Sequence, residues 1–425
     1  MKVIVHPIKE PLYGTIRIPS SKSHAQRALA LSMIAQGQSC LKNIGQSEDE
    51  QAVLKVVQEV TNGITIKGNN TYINGVNANE ILGKTYSIGE SGLATRMLTP
   101  ILANSSNALV LRGQGSILTR PMHFFNAVLP HLHVDFNCNE GKLPFHIQGP
   151  LVPKDTVVDG SLSSQFVTGV LYGFIASPLL RNEVLHIENL ASRPYFELSI
   201  DVLRSFGVNL NFEHNQIQFN GPYTLKPATI QIEGDWSSAS FLLIAGALSG
   251  KISISNLQQH SKQADKAILT VLADFGAQLD WEDDTLTVTQ KTKHAFHFDA
   301  TNCPDLFPPL AVLAAFGNGK STIKGISRLT HKESNRALTI QQEFQKVGIT
   351  ITLDYDSDLM TINPISTYSG GIIDSHNDHR IAMAGAILAL NASEPITIMQ
   401  AEAVKKSFVE FWECLEKLEV TIEIM

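Results

Sequence analysis

Six segments of the 425-residue sequence share one form: a few polar or small residues, then an almost wholly apolar run of helix length. They begin near Ser21, Glu90, Ser163, Trp236, Pro304 and Asn377, at intervals of 69, 73, 73, 68 and 73 residues. So even a period marks a chain built from copies of one supersecondary unit, each of which needs its neighbours to bury its apolar faces. The stretches between the runs repeat as well. A short apolar strand comes first, as at 107–111, 184–187, 251–254, 321–323 and 396–398. An amphipathic helix is next, with apolar positions three and four apart, as at 267–272. A turn then leads into two alternating strands, for example 208–212 and 216–219 around His214 and Asn215. The unit reads βαβαββ and occurs six times, the last copy ending short at 421–424.

The two helices of each unit have different surfaces. The first is apolar all round, so it is buried on every side; the second has one polar face and covers the outside. Three such units packed around their buried helices make one α/β domain, and six make two. The natural division lies near 226–230.

Composition bounds the function. Hydrophobic residues are 43% and charged residues 17%, as in an ordinary globular protein, and the formal net charge of −7 gives a nucleic-acid partner no overall electrostatic support. Cys40, Cys138, Cys303 and Cys414 are far apart, with no C-x-x-C pair, which argues against a disulfide framework or a zinc site. The N-terminus has no apolar core of signal-peptide length, and apolar stretches such as 241–248 are far short of the ~18 residues that span a bilayer. These features predict a cytoplasmic protein with no membrane partner.

The informative residues sit at the starts of the buried helices. Backbone N–H groups are unpaired there and the helix dipole is positive. Glu90, Ser163, Ser164, Asp305 and Asn377 suit such positions as acidic or capping residues. Lys22, His379 and Arg380 do not, because a cation there costs stability unless an anion sits between it and the helix. Several helix starts with added cations make a phosphate or carboxylate site. Further charges precede the amphipathic helices: Arg120, Arg193, the run Lys332-Glu333-Ser334-Asn335-Arg336, and Lys405-Lys406. Arg96 lies more than a turn inside an apolar helix and reads as a structural residue paired with a buried carbonyl or carboxylate. Common nucleotide, zinc-protease and serine-hydrolase motifs are missing, and His331, His376 and His379 do not have ligand spacing on one helix.

Five motifs in order carry a family resemblance. Ser21-Lys22-Ser23-His24-Ala25-Gln26-Arg27-Ala28-Leu29 resembles the S-K-S-x-x-x-R-A-L signature of 5-enolpyruvylshikimate-3-phosphate synthases. Ser161-Leu162-Ser163-Ser164-Gln165-Phe166 is similar to their S-x-S-S-Q-[FY], and Lys332-Glu333-Ser334-Asn335-Arg336 to K-E-[ST]-D-R. Asn377-Asp378-His379-Arg380-Ile381-Ala382-Met383 matches N-D-H-R-x-A-M, and Lys406-Ser407-Phe408 resembles the closing K-[ST]-[FY]-P.

The resemblance implies a fold of two domains, each of three βαβαββ repeats, an inside-out α/β barrel with the active site in the cleft between them. It puts residues 19–230 in one domain, and 1–18 with 231–425 in a discontinuous second one. It implies transfer of the enolpyruvyl group of phosphoenolpyruvate to the 5-hydroxyl of shikimate 3-phosphate through a tetrahedral intermediate, with release of phosphate. That is a step of the shikimate pathway to chorismate and the aromatic amino acids. No metal or organic cofactor is implied, and the family precedent is a monomer. Shikimate 3-phosphate contacts fall by resemblance on Lys22, Ser23, Arg27, Ser163, Ser164, Gln165, Ser192, Tyr195, Asp305 and Lys332. Phosphoenolpyruvate contacts fall on Lys22, Gly92, Arg120, Gln165, Arg336, His379, Arg380 and Lys406. Asp305 and Glu333 match the acid/base carboxylates, with Lys22 beside them.

Several positions depart from the pattern. The loop usually written G-N-A-G-T-x-x-R is Gly89-Glu90-Ser91-Gly92-Leu93-Ala94-Thr95-Arg96, so Glu90 adds negative charge where an anion binds. Either Glu90 turns to pair with a cation such as Arg120, or phosphoenolpyruvate affinity is weakened. Gly92, the small-residue gap used by the inhibitor glyphosate, is kept. Arg328 stands in place of a common Asn contact, Asn335 in place of Asp, and Val409 in place of Pro. Two competing readings are a sister enolpyruvyl transferase acting on UDP-N-acetylglucosamine and a non-catalytic homologue. The sister family has a Cys in the loop before Arg120; residues 112–119 contain none.

Overall fold

The computed structural model describes residues 1–61, 63–330, 332–365 and 368–425, so His331 lies outside the described residues. Twelve α-helices among them alternate in kind. The odd-numbered are α1 (Lys22–Ile34), α3 (Gly92–Leu102), α5 (Ser164–Ala176), α7 (Trp236–Ser249), α9 (Phe307–Ala315) and α11 (His379–Ala389). The even-numbered are α2 (Glu48–Val60), α4 (Phe124–His131), α6 (Arg193–Ser205), α8 (Ile268–Phe275), α10 (Arg336–Gln345) and α12 (Phe411–Lys417). Every residue of α3, α7, α9 and α11 is buried, as all-round apolar helices must be. The even helices bury one stripe, in α2 that of Val53, Val56, Val57 and Val60.

Each repeat folds one small mixed sheet. The second copy shows the plan: Thr85–Ser87, Leu109–Arg112, Lys142–Gln148 and Asp135–Asn139 lie side by side in that order. The first two strands are parallel and enclose the inner helix α3 between them in sequence; the last two form a hairpin. Directly after the second strand, five of the six repeats place a left-handed residue: Asn43, Asn189, Asn256, Gly325 and Gln400. Asn and Gly tolerate that conformation best. Four of these side chains use it to reach the neighbouring parallel strand's end. Asn43 Nδ2 donates to Ile232 O at 3.0 Å, Asn256 Nδ2 to Ile18 O at 3.0 Å, Asn189 Nδ2 to Asp159 Oδ1 at 3.2 Å and Gln400 Nε2 to Asp374 Oδ1 at 2.8 Å.

The chain exchanges strands between its halves. Leu12–Arg17 precedes α1 yet pairs in parallel with Gly250–Ser255, which follows α7. Thr229–Gln231 precedes α7 yet pairs with Gln38–Lys42, which follows α1. Two compact units result, Met1–Pro19 with Glu233–Met425, and Ser20–Ile232. The short sixth copy is completed by the N-terminus: Lys2–Val5 lies between Ile396–Met399 and Ile422–Ile424, with Val3 and Val5 fully buried.

One expected strand does not form. Residues 208–212 keep the alternation of buried and exposed side chains but make no ladder, and only Glu213 bridges Gln216. Phe212 turns instead to α6, packing 5.0 Å from the Phe196 ring and 4.6 Å under Arg193. Among the described residues no helix is long and apolar enough to cross a membrane.

Candidate functional site

Five of the six inner helices begin on hydroxyl or carboxylate caps, two of them one residue beyond the expected position, while α9 follows Leu306 and has no side-chain cap. Ser91, not Glu90, accepts from Ala94 N at 3.2 Å, and Asp378, not Asn377, accepts from Arg380 N at 3.0 Å. Ser163 does cap α5, accepting from Gln165 N at 3.3 Å. Asp305 lies in a 3-10 turn, Pro304–Leu306, ahead of α9.

In the unit Ser20–Ile232, the starts of α1, α3, α5 and α6 converge. Ser91 Oγ donates to Gln26 Oε1 at 3.2 Å, joining α3 to α1. Arg96 Nη1 donates to Gln165 Oε1 at 2.7 Å, and its guanidinium lies 4.9 Å from the centre of the Phe166 ring. Arg96 is thus held by a side-chain carbonyl in a 6% exposed setting. The helices come this close because Gly169 of α5 lacks a side chain: a Cβ there would sit 2.1 Å from Arg96 O. Arg27, 1% exposed, donates to Ser199 Oγ (2.8 Å), Ser23 O (2.7 Å) and Tyr195 O (3.2 Å). These acceptors are all neutral. Burial therefore lowers its pKa, and Tyr172 and Tyr195 offset this only in part. A buried cation with neutral partners gains most from an incoming anion. Ser192, at the head of α6, is held left-handed (φ 53°) with 7% exposure, a strained position for a non-glycine residue. Ser164 is buried at the start of α5.

Lys22, the misplaced cation of α1, finds its anion inside the protein. Its Nζ lies 2.9 Å from Asp49 Oδ2 at the start of α2. The neighbouring Glu50 fixes this corner, accepting from Gly45 N at 3.0 Å, Ser20 Oγ at 3.1 Å and Ser47 Oγ at 2.6 Å. Glu90 turns to the loop before α4: its Oε2 accepts from Ser116 N at 3.2 Å and Ser116 Oγ at 3.1 Å. Arg120, 7% exposed, reaches the same hydroxyl with Nη2 at 3.4 Å. Gly92 lies next to the tips of Arg96 and Arg120.

The unit Met1–Pro19 with Glu233–Met425 gathers the other charges on one carboxylate. Asp305 Oδ1 meets Arg336 Nη1 at 2.8 Å and Lys332 Nζ at 3.3 Å, and Oδ2 meets Arg380 Nη2 at 3.1 Å. Burial alone would raise the Asp305 pKa; Arg380, Lys332 and Arg336 outweigh it and hold the carboxyl well below its usual range. Burial pushes Lys332 below its ordinary value, Asp305 pulling it back and Arg336 adding to the fall. Arg336 also binds Glu333 Oε2 at 2.5 Å and Asp378 at 2.9 and 3.2 Å. Burial disfavours its charge, but Asp378, Glu333 and Asp305 raise its pKa. These four bonds leave one of its five N–H groups for a ligand. His379 and Arg380 are 1% and 5% exposed, and Lys406 Nζ donates to Asn377 O at 2.9 Å, the residue before Asp378.

The expected site residues thus divide by unit. Lys22, Ser23, Arg27, Gly92, Arg120, Ser163, Ser164, Gln165, Ser192 and Tyr195 belong to one; Asp305, Lys332, Glu333, Arg336, His379, Arg380 and Lys406 belong to the other. Three supporting residues escaped the sequence reading. Asp49 lies inside a Ser47-x-x-Glu50 capping box, a signal of the helix start but not of its partner Lys22. Asp378 was visible only as part of a motif, and Ser199, which orients Arg27, leaves no local signal.

The chain matches the family model of EPSP synthase (3-phosphoshikimate 1-carboxyvinyltransferase) over residues 7–415. A 3-phosphoshikimate 1-carboxyvinyltransferase of Clostridium perfringens is 32% identical over 422 residues, covering 98% of each chain. One of Clostridium kluyveri is 33% identical over 427 residues, covering 98% of this chain and 97% of the relative. Among solved structures, EPSP synthase of Acinetobacter baumannii superposes with a TM-score of 0.83 at 24% identity, covering 99% of both chains. The enolpyruvyl transferase NikO of Streptomyces tendae gives 0.76 at 16% identity over 99% and 98%. The fold is therefore that of the enolpyruvyl transferases.

Proposed function

The chain belongs to the EPSP synthase, or 3-phosphoshikimate 1-carboxyvinyltransferase, family, and on that premise we propose how its residues divide the work. The reaction is transfer of the enolpyruvyl group of phosphoenolpyruvate to shikimate 3-phosphate, in the shikimate pathway. In the proposed course, the 5-hydroxyl oxygen bonds to C2 of phosphoenolpyruvate while its proton leaves and C3 takes one up. The tetrahedral adduct then loses phosphate from C2 and a proton from C3, restoring the double bond.

Asp305 is the proposed acceptor of the hydroxyl proton, and either Glu333 or Lys22 serves C3. Such acid/base steps contribute typically ~10²–10⁴-fold. Arg27, Ser23, Ser163, Ser164, Gln165, Ser192, Tyr195 and Lys332 are the proposed shikimate 3-phosphate contacts. Lys22, Gly92, Arg120, Gln165, Arg336, His379, Arg380 and Lys406 are the proposed phosphoenolpyruvate contacts, their charge answering that on the departing phosphate. The observation that carries this reading is the Asp305 carboxylate with three cations on it. A carboxylate so surrounded is a poor base. Anionic substrates that draw Arg380 and Lys332 to themselves relieve it and make it basic when the hydroxyl is in place. The proposed setting is the cytosol, which the four free cysteines suit, and the proposed form is a monomer.

The test is phosphate release from phosphoenolpyruvate with and without shikimate 3-phosphate. Release that requires shikimate 3-phosphate supports the reading. Release that requires a UDP-sugar, or none with either, overturns it.

A further inference from the structure

We propose that Glu90 is a positioning residue, which through Ser116 sets the Arg120 guanidinium at the first turn of α3 and so governs the affinity of that corner for an anionic substrate. The identity of that anion, phosphoenolpyruvate, rests on the proposed function.

The direction of each hydrogen bond is fixed by counting protons. Glu90 Oε2 can only accept, so both the Ser116 N–H (3.2 Å) and the Ser116 hydroxyl (3.1 Å) donate to it. A serine hydroxyl has one proton and two lone pairs. With its proton committed to Glu90, the Ser116 oxygen turns a lone pair to Arg120 Nη2, 3.4 Å away. Carboxylate, hydroxyl and guanidinium form a relay with one polarity. Removing the carboxylate frees the hydroxyl to rotate, and Arg120 loses a fixed acceptor.

The loop is shaped for this carboxylate. Gly115 is left-handed (φ +58°), and a Cβ there would lie 2.1 Å from Glu90 Oε1. At the other end of the relay, a Cβ on Gly92 would lie 2.8 Å from Arg120 Nη1 and 3.0 Å from Arg96 Nη1. Two guanidinium groups therefore reach the first turn of α3, where backbone N–H groups favour an anion. Glu90 acts on that corner in two opposed ways. Its charge repels an anion, while its bonds to Ser116 hold a cation in place for one. The bonds are direct and the repulsion is met by neighbouring guanidinium charge, so positioning dominates.

The test is steady-state kinetics in phosphoenolpyruvate for the full chain and for E90A, E90Q, S116A and E90A/S116A. E90A and S116A are each expected to raise KM about three- to tenfold with kcat within about twofold, the pattern of lost ground-state binding. The double variant should be no worse than the worse single one, because both cut the same relay. E90Q should stay within about twofold of the parent, since its amide oxygen still accepts from Ser116. A lower KM in E90A, or effects of E90A and S116A that multiply, overturns the proposal. If E90A does not fold, S116A and E90Q decide: an unchanged KM in S116A is the contrary result. Should the parent protein release no phosphate, the functional reading fails separately. Binding of inorganic phosphate by the same proteins, measured by calorimetry, then shows the same order of affinities if the relay is real and no difference if it is not.

Discussion

Arg336 and Asp378 meet in a fork of two hydrogen bonds, 2.9 Å from Nε and 3.2 Å from Nη2, between side chains that are both 0% exposed. The same carboxylate caps α11 through Arg380 N at 3.0 Å and accepts from Ser334 Oγ at 3.2 Å. One buried group thus ties the start of α10 to the start of α11, and both ends carry cations that reach Asp305. Removing one partner of a buried pair leaves the other charge uncompensated, which costs about 3–5 kcal/mol. Asp378→Ala is expected to lower stability by about that amount in urea unfolding. A loss below about 1 kcal/mol would show that Arg336 is satisfied without it.

Asp305→Asn separates turnover from anion binding. The amide cannot take a proton, so kcat should fall about 10²–10⁴-fold. Loss of the negative charge frees Arg380, Lys332 and Arg336, so the affinity for phosphoenolpyruvate or phosphate should rise or hold. Parallel loss of both would mean Asp305 only organises the cluster. Its lowered pKa also has a stability consequence. Ionised Asp305 stabilises the fold fully above its unfolded value of 3.8, and this is lost as pH falls through the lower folded value.

The period of the six apolar runs was legible because burial on all sides demands a helix of almost wholly apolar or small residues, as in α7, where all 14 residues are buried. The hidden features were non-local. The residue pattern alone does not say that Lys2–Val5 completes the sheet of Ile396–Met399 or that Leu12–Arg17 pairs beyond α7; only the family resemblance put residues 1–18 with the second half of the chain. Side-chain partners were hidden for the same reason. Arg96 was readable as a buried cation needing an acceptor, because an apolar helix gives it no solvent; that the acceptor is Gln165, 69 residues on, was not. The caps Ser91 and Asp378 fell one residue past the expected ones, since composition does not resolve which of two adjacent polar residues turns inward.

His24 supplies a pH dependence whose sign can be fixed. Burial, then Arg27, lowers its pKa from 6.5 to about 4, so the folded protein keeps the ring neutral. The unfolded chain takes up the proton first as pH falls below 6.5. Stability from this group is therefore complete above pH 6.5, declines down to about 4 and changes no further below. The full difference is about 3 kcal/mol. Comparing His24→Asn with the parent cancels the other titrating groups. The parent's urea-unfolding free energy should fall relative to the variant's as pH drops from about 7.5 to about 4.5; a constant difference would refute the neutral buried ring.

The N-terminal strand is expected to be indispensable to its unit. Lys2–Val5 pairs on both sides, with Ile396–Met399 and with Ile422–Ile424. Deleting it exposes two strand edges and the apolar surface that Val3 and Val5 cover. A chain beginning at His6 should aggregate or unfold at far lower denaturant, and adding back a peptide of residues 1–5 should recover part of the loss. A truncated chain of unchanged midpoint would place the strand outside the cooperative core.

Gly92→Ala probes the anion corner from the other side. An added Cβ would lie 2.8 Å from Arg120 Nη1 and 3.0 Å from Arg96 Nη1, closer than carbon and nitrogen tolerate. Both atoms are ends of long side chains, so the fold survives and the tips move by a few tenths of an ångström. Arg96 has little room, being bonded to Gln165 at 2.7 Å and packed on Phe166, so Arg120 gives way. The methyl also covers part of the α3 N-terminus, where an anion would meet backbone N–H groups. Phosphoenolpyruvate binding should weaken roughly tenfold, or about 1.4 kcal/mol, if one charge-assisted bond is lengthened. The melting temperature should shift little, because α3 keeps its Ser91 cap. A variant with unchanged KM for phosphoenolpyruvate would mean that the tip of Arg120 does not hold the substrate.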